Sequence, residues 1–167
     1  MMSVVIDCRE DAVALTATLA TLVPGAVEGL VREVLVVDRG TDAATRKVAD
    51  HAGCRVVAEL EAAQAVANAK GDWVMLIEPG ARLSAGWIEA VAEHLADGSS
   101  DGAPKAARFS RVPSDGRGFL RRLLQRGQRP LVDGLVAPKA QAVELYGKGG
   151  IARRPAARRL TATIRPR

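Results

Sequence analysis

Three short groups of residues carry side chains able to do chemistry, and each follows an apolar run: Asp7 to Asp11, Asp38 to Asp42, and Glu78 to Arg82. Every group holds at least one carboxylate. A carboxylate accepts hydrogen bonds without donating, so it selects N–H and O–H donors. The same oxygens are the ligands that hard divalent cations prefer. Cys8 adds a thiol to the first group, but a nucleophilic thiol needs a base beside it. The two histidines, His51 and His94, fall on separate helices and read as surface residues. Neither Cys8 nor Cys54 has a His or Cys neighbour at metal-ligand spacing. A disulfide between the two stays open.

The runs that precede these groups do not alternate with polar residues. Ser3-Val4-Val5-Ile6, Glu33-Val34-Leu35-Val36-Val37-Asp38, Cys54-Arg55-Val56-Val57 and Trp73-Val74-Met75-Leu76-Ile77 therefore read as four buried strands. Helical segments separate them. Glu10 and Asp11 open the first, Leu15, Leu19 and Leu22 share its apolar face, and Pro24-Gly25 is expected to stop it. Asp42 is placed as the N-cap of a second helix running to His51, and Gly53 ends it. An Ala-rich helix spans residues 59–69. Ser84 is a candidate cap for a fourth, whose Trp87, Ile88, Val91 and Leu95 share a face. Alternation of this kind predicts right-handed crossovers and a parallel sheet covered on both faces. Ligands of such sheets bind beyond the carboxyl ends of the strands, where the three groups lie.

Beyond Leu95 the regularity breaks. Residues 97–102 have loop composition, 106–110 form a candidate strand, and 119–125 a candidate helix with Arg121 and Arg122 outward. Asp133-Gly134 reads as a turn between Leu131-Val132 and Leu135-Val136. Residues 148–167 hold seven Lys and Arg and no acid, so the net charge of +5 leaves residues 1–147 at −2. The expected organisation is one domain over 1–147 followed by a basic, flexible tail. Gly147-Lys148-Gly149-Gly150 has phosphate-loop composition, but no strand and helix flank it correctly.

Composition narrows the class. The chain is 48% apolar, enough for a core, and 3% aromatic, too little for stacking platforms that grip single-stranded bases. Specific nucleic-acid binding is therefore disfavoured. No apolar run nears the ~20 residues of a bilayer span, and no secretory signal precedes the first strand. The expected location is cytoplasmic, with the Arg-rich segment a candidate contact for an anionic membrane at its inner face.

Four segments, in order, resemble the N-terminal half of a family 2 glycosyltransferase. They are the first strand leading into Glu10-Asp11, then Val36-Val37-Asp38-Arg39-Gly40-Thr41-Asp42, Ala69-Lys70-Gly71-Asp72-Trp73-Val74, and Leu83-Ser84-Ala85-Gly86-Trp87-Ile88. The resemblance implies an α/β, Rossmann-like GT-A fold with a mostly parallel sheet and helices on both faces. It implies a UDP- or GDP-sugar as partner, and it puts Cys8, Asp11, Asp38, Arg39 and Glu78 at the substrate site. Asp38 falls on the acid that accepts from the base or ribose. A strand-end acid capping its own turn is the competing reading of Asp38, and an exposed turn arginine that of Arg39.

Departures from the pattern bear on activity. The family's Asp-x-Asp metal motif is matched by Glu78-Pro79-Gly80, which leaves Glu78 as a single, weak ligand for Mg²⁺ or Mn²⁺. The helix arginine that neutralises diphosphate charge is replaced by Ala62. The Glu-Asp pair expected to supply the base has no counterpart after Tyr146-Gly147, which leaves Asp133 and Glu144 as poor substitutes. Two functions follow as expectations. One is a nucleotide-sugar-binding glycosyltransferase with degraded motifs. The other is a non-catalytic nucleotide- or protein-binding homologue, or a membrane-surface adaptor acting through its basic segment. The residues specify neither donor base, sugar, acceptor nor oligomeric state.

Overall fold

The four apolar runs form the strands β1 (Met2–Cys8), β2 (Val31–Asp38), β3 (Arg55–Ala58) and β4 (Trp73–Ile77) of the computed structural model, which describes residues 1–100, 105–112, 133–147 and 156–166. Between them lie α1 (Ala12–Val27), α2 (Ala43–His51), a turn of 3-10 helix at Glu59–Glu61, and α3 (Ala62–Ala67). The second half adds β5 (Arg82–Leu83), α4 (Trp87–Ser100), β6 (Ala107–Arg111), β7 (Leu135–Pro138), the next helix α5 (Lys139–Gly147) and β8 (Arg158–Arg165). The eight strands form one sheet in the order β3-β2-β1-β4-β7-β6-β8-β5. β3, β2, β1 and β4 are mutually parallel, β7 runs antiparallel to β4 and β6, and β8 pairs parallel with β6 and antiparallel with β5.

Alternate residues of the central strands feed two cores. Val4, Ile6, Met75 and Ile77 face α1 and α4, whereas Val5, Leu35, Val74 and Leu76 face α3 and α5. Only residues 78–81 join β4 to β5. That connection reaches at most about 18 Å extended, while four strand spacings of a flat sheet are about 19 Å. The sheet therefore curls over its α1 side, and Phe109, Leu160, Ala162 and Ile164 of β6 and β8 join the α1–α4 core. At the opposite end of the strands, Gly71 closes the gap between β4 and β1. A Cβ there would meet the backbone of Met2 and Ser3 at 2.5 Å.

Several expectations are corrected. Helix α1 does not stop at Pro24-Gly25 but runs to Val27. Gly25 is seated against Trp87, whose ring would lie 2.4 Å from any Cβ, and this packing holds the turn despite the proline. Termination falls at Gly29, at φ 76°, with Gly29 N–H bonded to Ala26 O and Glu28 N–H to Pro24 O. Helix α4 continues past Leu95 to Ser100, through the expected loop. Ser84 does not cap α4, because its hydroxyl and backbone are engaged by Thr163 of β8. His94 is buried, with Nε2 2.9 Å from Lys105 O and its ring edge-on to Trp73. Cys8 and Cys54 are free thiols.

The largest correction concerns the basic segment. Residues 158–165, expected within a flexible tail, form β8, with Leu160, Ala162 and Ile164 buried and Arg158, Arg159, Thr161 and Arg165 exposed. This period of two is that of a strand with one face on a core. Helix α5 was not foreseen either. The candidate helix at 119–125, Leu131-Val132 and the Gly147-Lys148-Gly149-Gly150 run lie wholly or mainly outside the described residues. Among the described residues, no helix is long and apolar enough to cross a membrane.

Candidate functional site at the carboxyl ends of the parallel strands

Because β2, β1 and β4 are adjacent and parallel, Asp38 and Glu78 end on the same edge of the sheet, either side of Cys8. β7 enters beside the end of β4, pairing Leu135 with Leu76, so Asp133 reaches this end as well. Of the residues assigned to the site from sequence, only Asp11 lines the crevice described below; Cys8, Asp38, Arg39, Glu78, Asp133 and Glu144 do not. Glu144 is exposed on α5.

Asp38 bonds within its own turn. Its Oδ1 accepts from Gly40 N–H at 2.9 Å and Thr41 N–H at 2.8 Å, and its Oδ2 accepts from Arg46 at 2.6 Å. The two backbone N–H groups hold its carboxyl down to about 2, from an ordinary 3.8. Asp42 caps α2 through Thr45 N–H, as expected. The sign for Asp38 is that of a depressed acid. Its stabilising contribution is complete above the unfolded-state value and is lost as pH falls from about 4 to about 2. Asp38→Asn keeps an acceptor for the turn but cannot titrate. It should therefore flatten the loss of melting temperature over that pH interval, and an unchanged acid limb would contradict the assignment.

Asp11 is the N-cap of α1. Its Oδ1 accepts from Ala14 N–H at 2.8 Å, and its own N–H bonds Thr45 Oγ1, tying α1 to α2. Cys8 is fully buried in the α1-side core, its thiol donating to Arg9 O at 3.4 Å. Burial, reinforced by Asp11, pushes that thiol up to about 11. It is a packed, protonated thiol whose side chain is closed to a ligand.

Arg39 is not an exposed turn residue. Its Nε donates to Asp7 Oδ2 at 3.0 Å and its Nη1 to Glu59. Asp7 Oδ1 in turn accepts from the Tyr146 hydroxyl of α5 at 2.7 Å. Burial, then the adjacent Asp7 carboxylate, drives the Tyr146 phenol far above its usual range, so it stays a donor. Asp7 stands in the first group of strand-end residues but was given no role there, and Glu59 and Tyr146 were not singled out from sequence. The signal was a carboxylate ending a wholly buried strand, which requires a partner.

The loop after β4 is fastened to α1. Gly80 N–H donates to Thr18 Oγ1 at 2.8 Å and to Ala14 O at 3.0 Å, and Thr18 Oγ1 donates to Ala81 O at 2.9 Å. Thr18 is fully buried between Leu15 and Leu22 on the apolar face of α1. Gly80 has φ 88°, a region that side chains with a Cβ rarely adopt. Beside it opens a crevice of about 390 Å³ lined by Asp11, Val13, Ala14, Ala17, Gly80, Arg82, Arg165 and Pro166. Asp133 and Glu144 do not line it, and Asp133 is ion-paired with Arg111. Among the described residues, no group of three His, Cys, Asp or Glu side chains could hold a metal.

This mostly parallel sheet with helices on both faces is matched in solved structures. Glucosyl-3-phosphoglycerate synthase from Mycobacterium tuberculosis, solved with Mn²⁺, UDP and phosphoglyceric acid, aligns at 20% identity and a TM-score of 0.56. That alignment covers 84% of this chain and 56% of the synthase. The UDP complex of the same enzyme aligns at 18% identity and a TM-score of 0.60, over 100% of this chain and 71% of that one. The chain has the GT-A fold. Another match, a structure described as a mycobacterial protein, aligns at 18% identity and a TM-score of 0.58, over 99% of this chain and 65% of that one. The chain thus spans little more than half the length of the synthase in the first alignment. No family model and no curated protein matches it.

Proposed function

We propose that this chain is a divergent relative of the family 2 glycosyltransferases that binds a nucleotide-sugar, a uridine diphosphate sugar above all, with little dependence on a divalent metal. The observation that carries the reading is the loop Glu78-Pro79-Gly80. The position of the second metal carboxylate is a glycine with a left-handed backbone, and its N–H is bonded to α1. Residues with a Cβ are uncommon in that conformation, and a glycine brings no side-chain oxygen to a cation. Glu78 alone offers one carboxylate, whereas Mg²⁺ and Mn²⁺ sites usually draw on several oxygens.

The choice of ligand rests on the fold and on what its neighbours hold. Synthase structures with this fold were solved with UDP and with UDP-glucose. The crevice here lies at the carboxyl ends of parallel strands, where α/β sheets take their ligands, and its volume is that of a small-molecule site.

A thermal-shift panel of UDP, GDP, their sugar conjugates and uridine, with and without Mn²⁺, tests this. A ligand specific for the folded state at a hundredfold excess over Kd adds about 2.7 kcal/mol, which is a rise of roughly 5–10 °C for a chain of this size. UDP or a UDP-sugar should give that rise without metal, and Mn²⁺ should add little. No rise with any nucleotide would overturn the reading.

A further inference from the structure

Strands β5 and β8 set two arginines face to face. Arg82 is the direct partner of Arg165, and Leu83 the partner of Ile164. Leu83 and Ile164 point into the core. Side chains alternate along a strand, so Arg82 and Arg165 stand together on the other face, where both are exposed. Directly opposed residues have Cβ atoms about 4.5–5.5 Å apart, and like charges in that arrangement destabilise a sheet. Neither guanidinium forms an ion pair or hydrogen bond with a described residue. Among the other described arginines, Arg39, Arg46, Arg55, Arg111 and Arg158 form ion pairs, while the exposed Arg9, Arg32 and Arg159 form none with a described residue, so what sets Arg82 and Arg165 apart is that they face each other.

Both arginines line the crevice beside Gly80. The one carboxylate in its lining, that of Asp11, is engaged as the α1 cap. The rest of the wall is Val13, Ala14 and Ala17, with Val13 82% exposed. The crevice therefore offers two cations at one side and an apolar helix surface at the other. Guanidiniums bind phosphate oxygens through forked, charge-assisted bonds. Two of them held opposite each other fit a group whose charge is spread over two linked phosphates.

We propose that Arg82 and Arg165 form a clamp for a diphosphate group, holding it in the crevice without a metal ion. This rests on the nucleotide-sugar reading for the identity of the ligand, but not for the anion site itself. The clamp supplies positive charge from the protein at the place where Gly80 withholds a metal ligand, and a bound diphosphate relieves the repulsion between the arginines. The Val13 and Ala17 surface then lies against the remainder of the ligand.

The test uses the full chain freed of metal with chelator, titrated calorimetrically with inorganic pyrophosphate, UDP and uridine. Wild type, Arg82→Gln, Arg165→Gln and the double variant are compared. Pyrophosphate and UDP should bind wild type without metal, each single variant should lose about tenfold or more in affinity for both, and the double variant should bind neither measurably. Without ligand, the melting temperatures of the single variants should equal or exceed that of wild type, because a like-charge contact has gone. Pyrophosphate and UDP affinities unchanged in the double variant would sink the clamp while leaving nucleotide binding intact. Arginine-dependent pyrophosphate binding with UDP no tighter than pyrophosphate would uphold the clamp and count against the nucleotide reading. No binding of either anion by wild type would overturn both.

Discussion

Incubated with UDP-glucose, Mn²⁺ and a panel of acceptors, the purified chain is expected to transfer sugar at a rate no greater than background donor hydrolysis. Transfer makes three separable demands: the donor must be positioned, the departing diphosphate stabilised, and the acceptor hydroxyl deprotonated. The leaving group develops concentrated negative charge, and preorganised charge is usually the largest catalytic contribution. Losing one such group costs on the order of a hundredfold or more. On the proposed likeness to family 2, Gly80 stands in place of the second metal carboxylate and Ala62 in place of the helix arginine. The two exposed arginines of the crevice replace charge, but they sit on long side chains without the geometry of a metal. A positioned base contributes roughly a hundredfold to ten-thousandfold more. Neither candidate stands ready: Asp133 is paired with Arg111, and Glu144 is exposed on α5 away from the crevice lining. The losses multiply to about ten-thousandfold at least. Robust turnover by the isolated chain, measured as released UDP coupled to product formation, would refute this.

The second large effect is structural. Asp7→Ala should destabilise the fold by about 2–4 kcal/mol. The carboxylate is the shared acceptor of Arg39 and Tyr146. Its removal leaves a buried phenol without its acceptor, at about 1–3 kcal/mol, and weakens a partly buried ion pair. The Tyr146 hydroxyl is also what joins α5 to the end of β1, since residue 146 otherwise contributes only packing to that core. Tyr146→Phe isolates the hydrogen bond. In the Asp7→Ala background it should cost close to nothing, because the phenol has already lost its partner. Denaturant unfolding of the four proteins measures the coupling, and strict additivity would show that the two side chains do not interact.

The first half of the fold was legible because its signals were local. Runs such as Trp73 to Ile77, short and bounded by Gly71 and by Pro79-Gly80, read as buried strands by length and flanks, and Asp11, Asp42 and Gly53 mark helix ends by short-range chemistry. The second half was not, because its strands depend on partners distant in sequence. β8 alternates over Leu160, Ala162 and Ile164, but the arginines around it dominate the composition and suggested a tail. β5 has only two residues and exists because β8 pairs with it. Site residues divide the same way. Asp38 and Glu78 follow from strand ends, and adjacent parallel strands deliver them together. Arg39, Asp7, Glu59 and Tyr146 join only through side-chain contacts across 20 to 139 residues. Cys8, placed at the substrate site by the resemblance, pairs with Asp38 at the very end of β1 yet turns into the core, as the lack of a base beside it suggested. Thr18 was passed over as one polar residue on an apolar face, though that placement implies a buried acceptor for its hydroxyl.

In the proposed function, the Glu78-Pro79-Gly80 loop has given up metal-dependent donor binding while the crevice takes the nucleotide. Calorimetric titration of UDP-glucose into wild type and Glu78→Ala, each with chelator and then with saturating Mn²⁺, tests it most directly. Closely similar affinities are expected in all four titrations. A gain in affinity with Mn²⁺ of tenfold or more for wild type, abolished in Glu78→Ala, would contradict this.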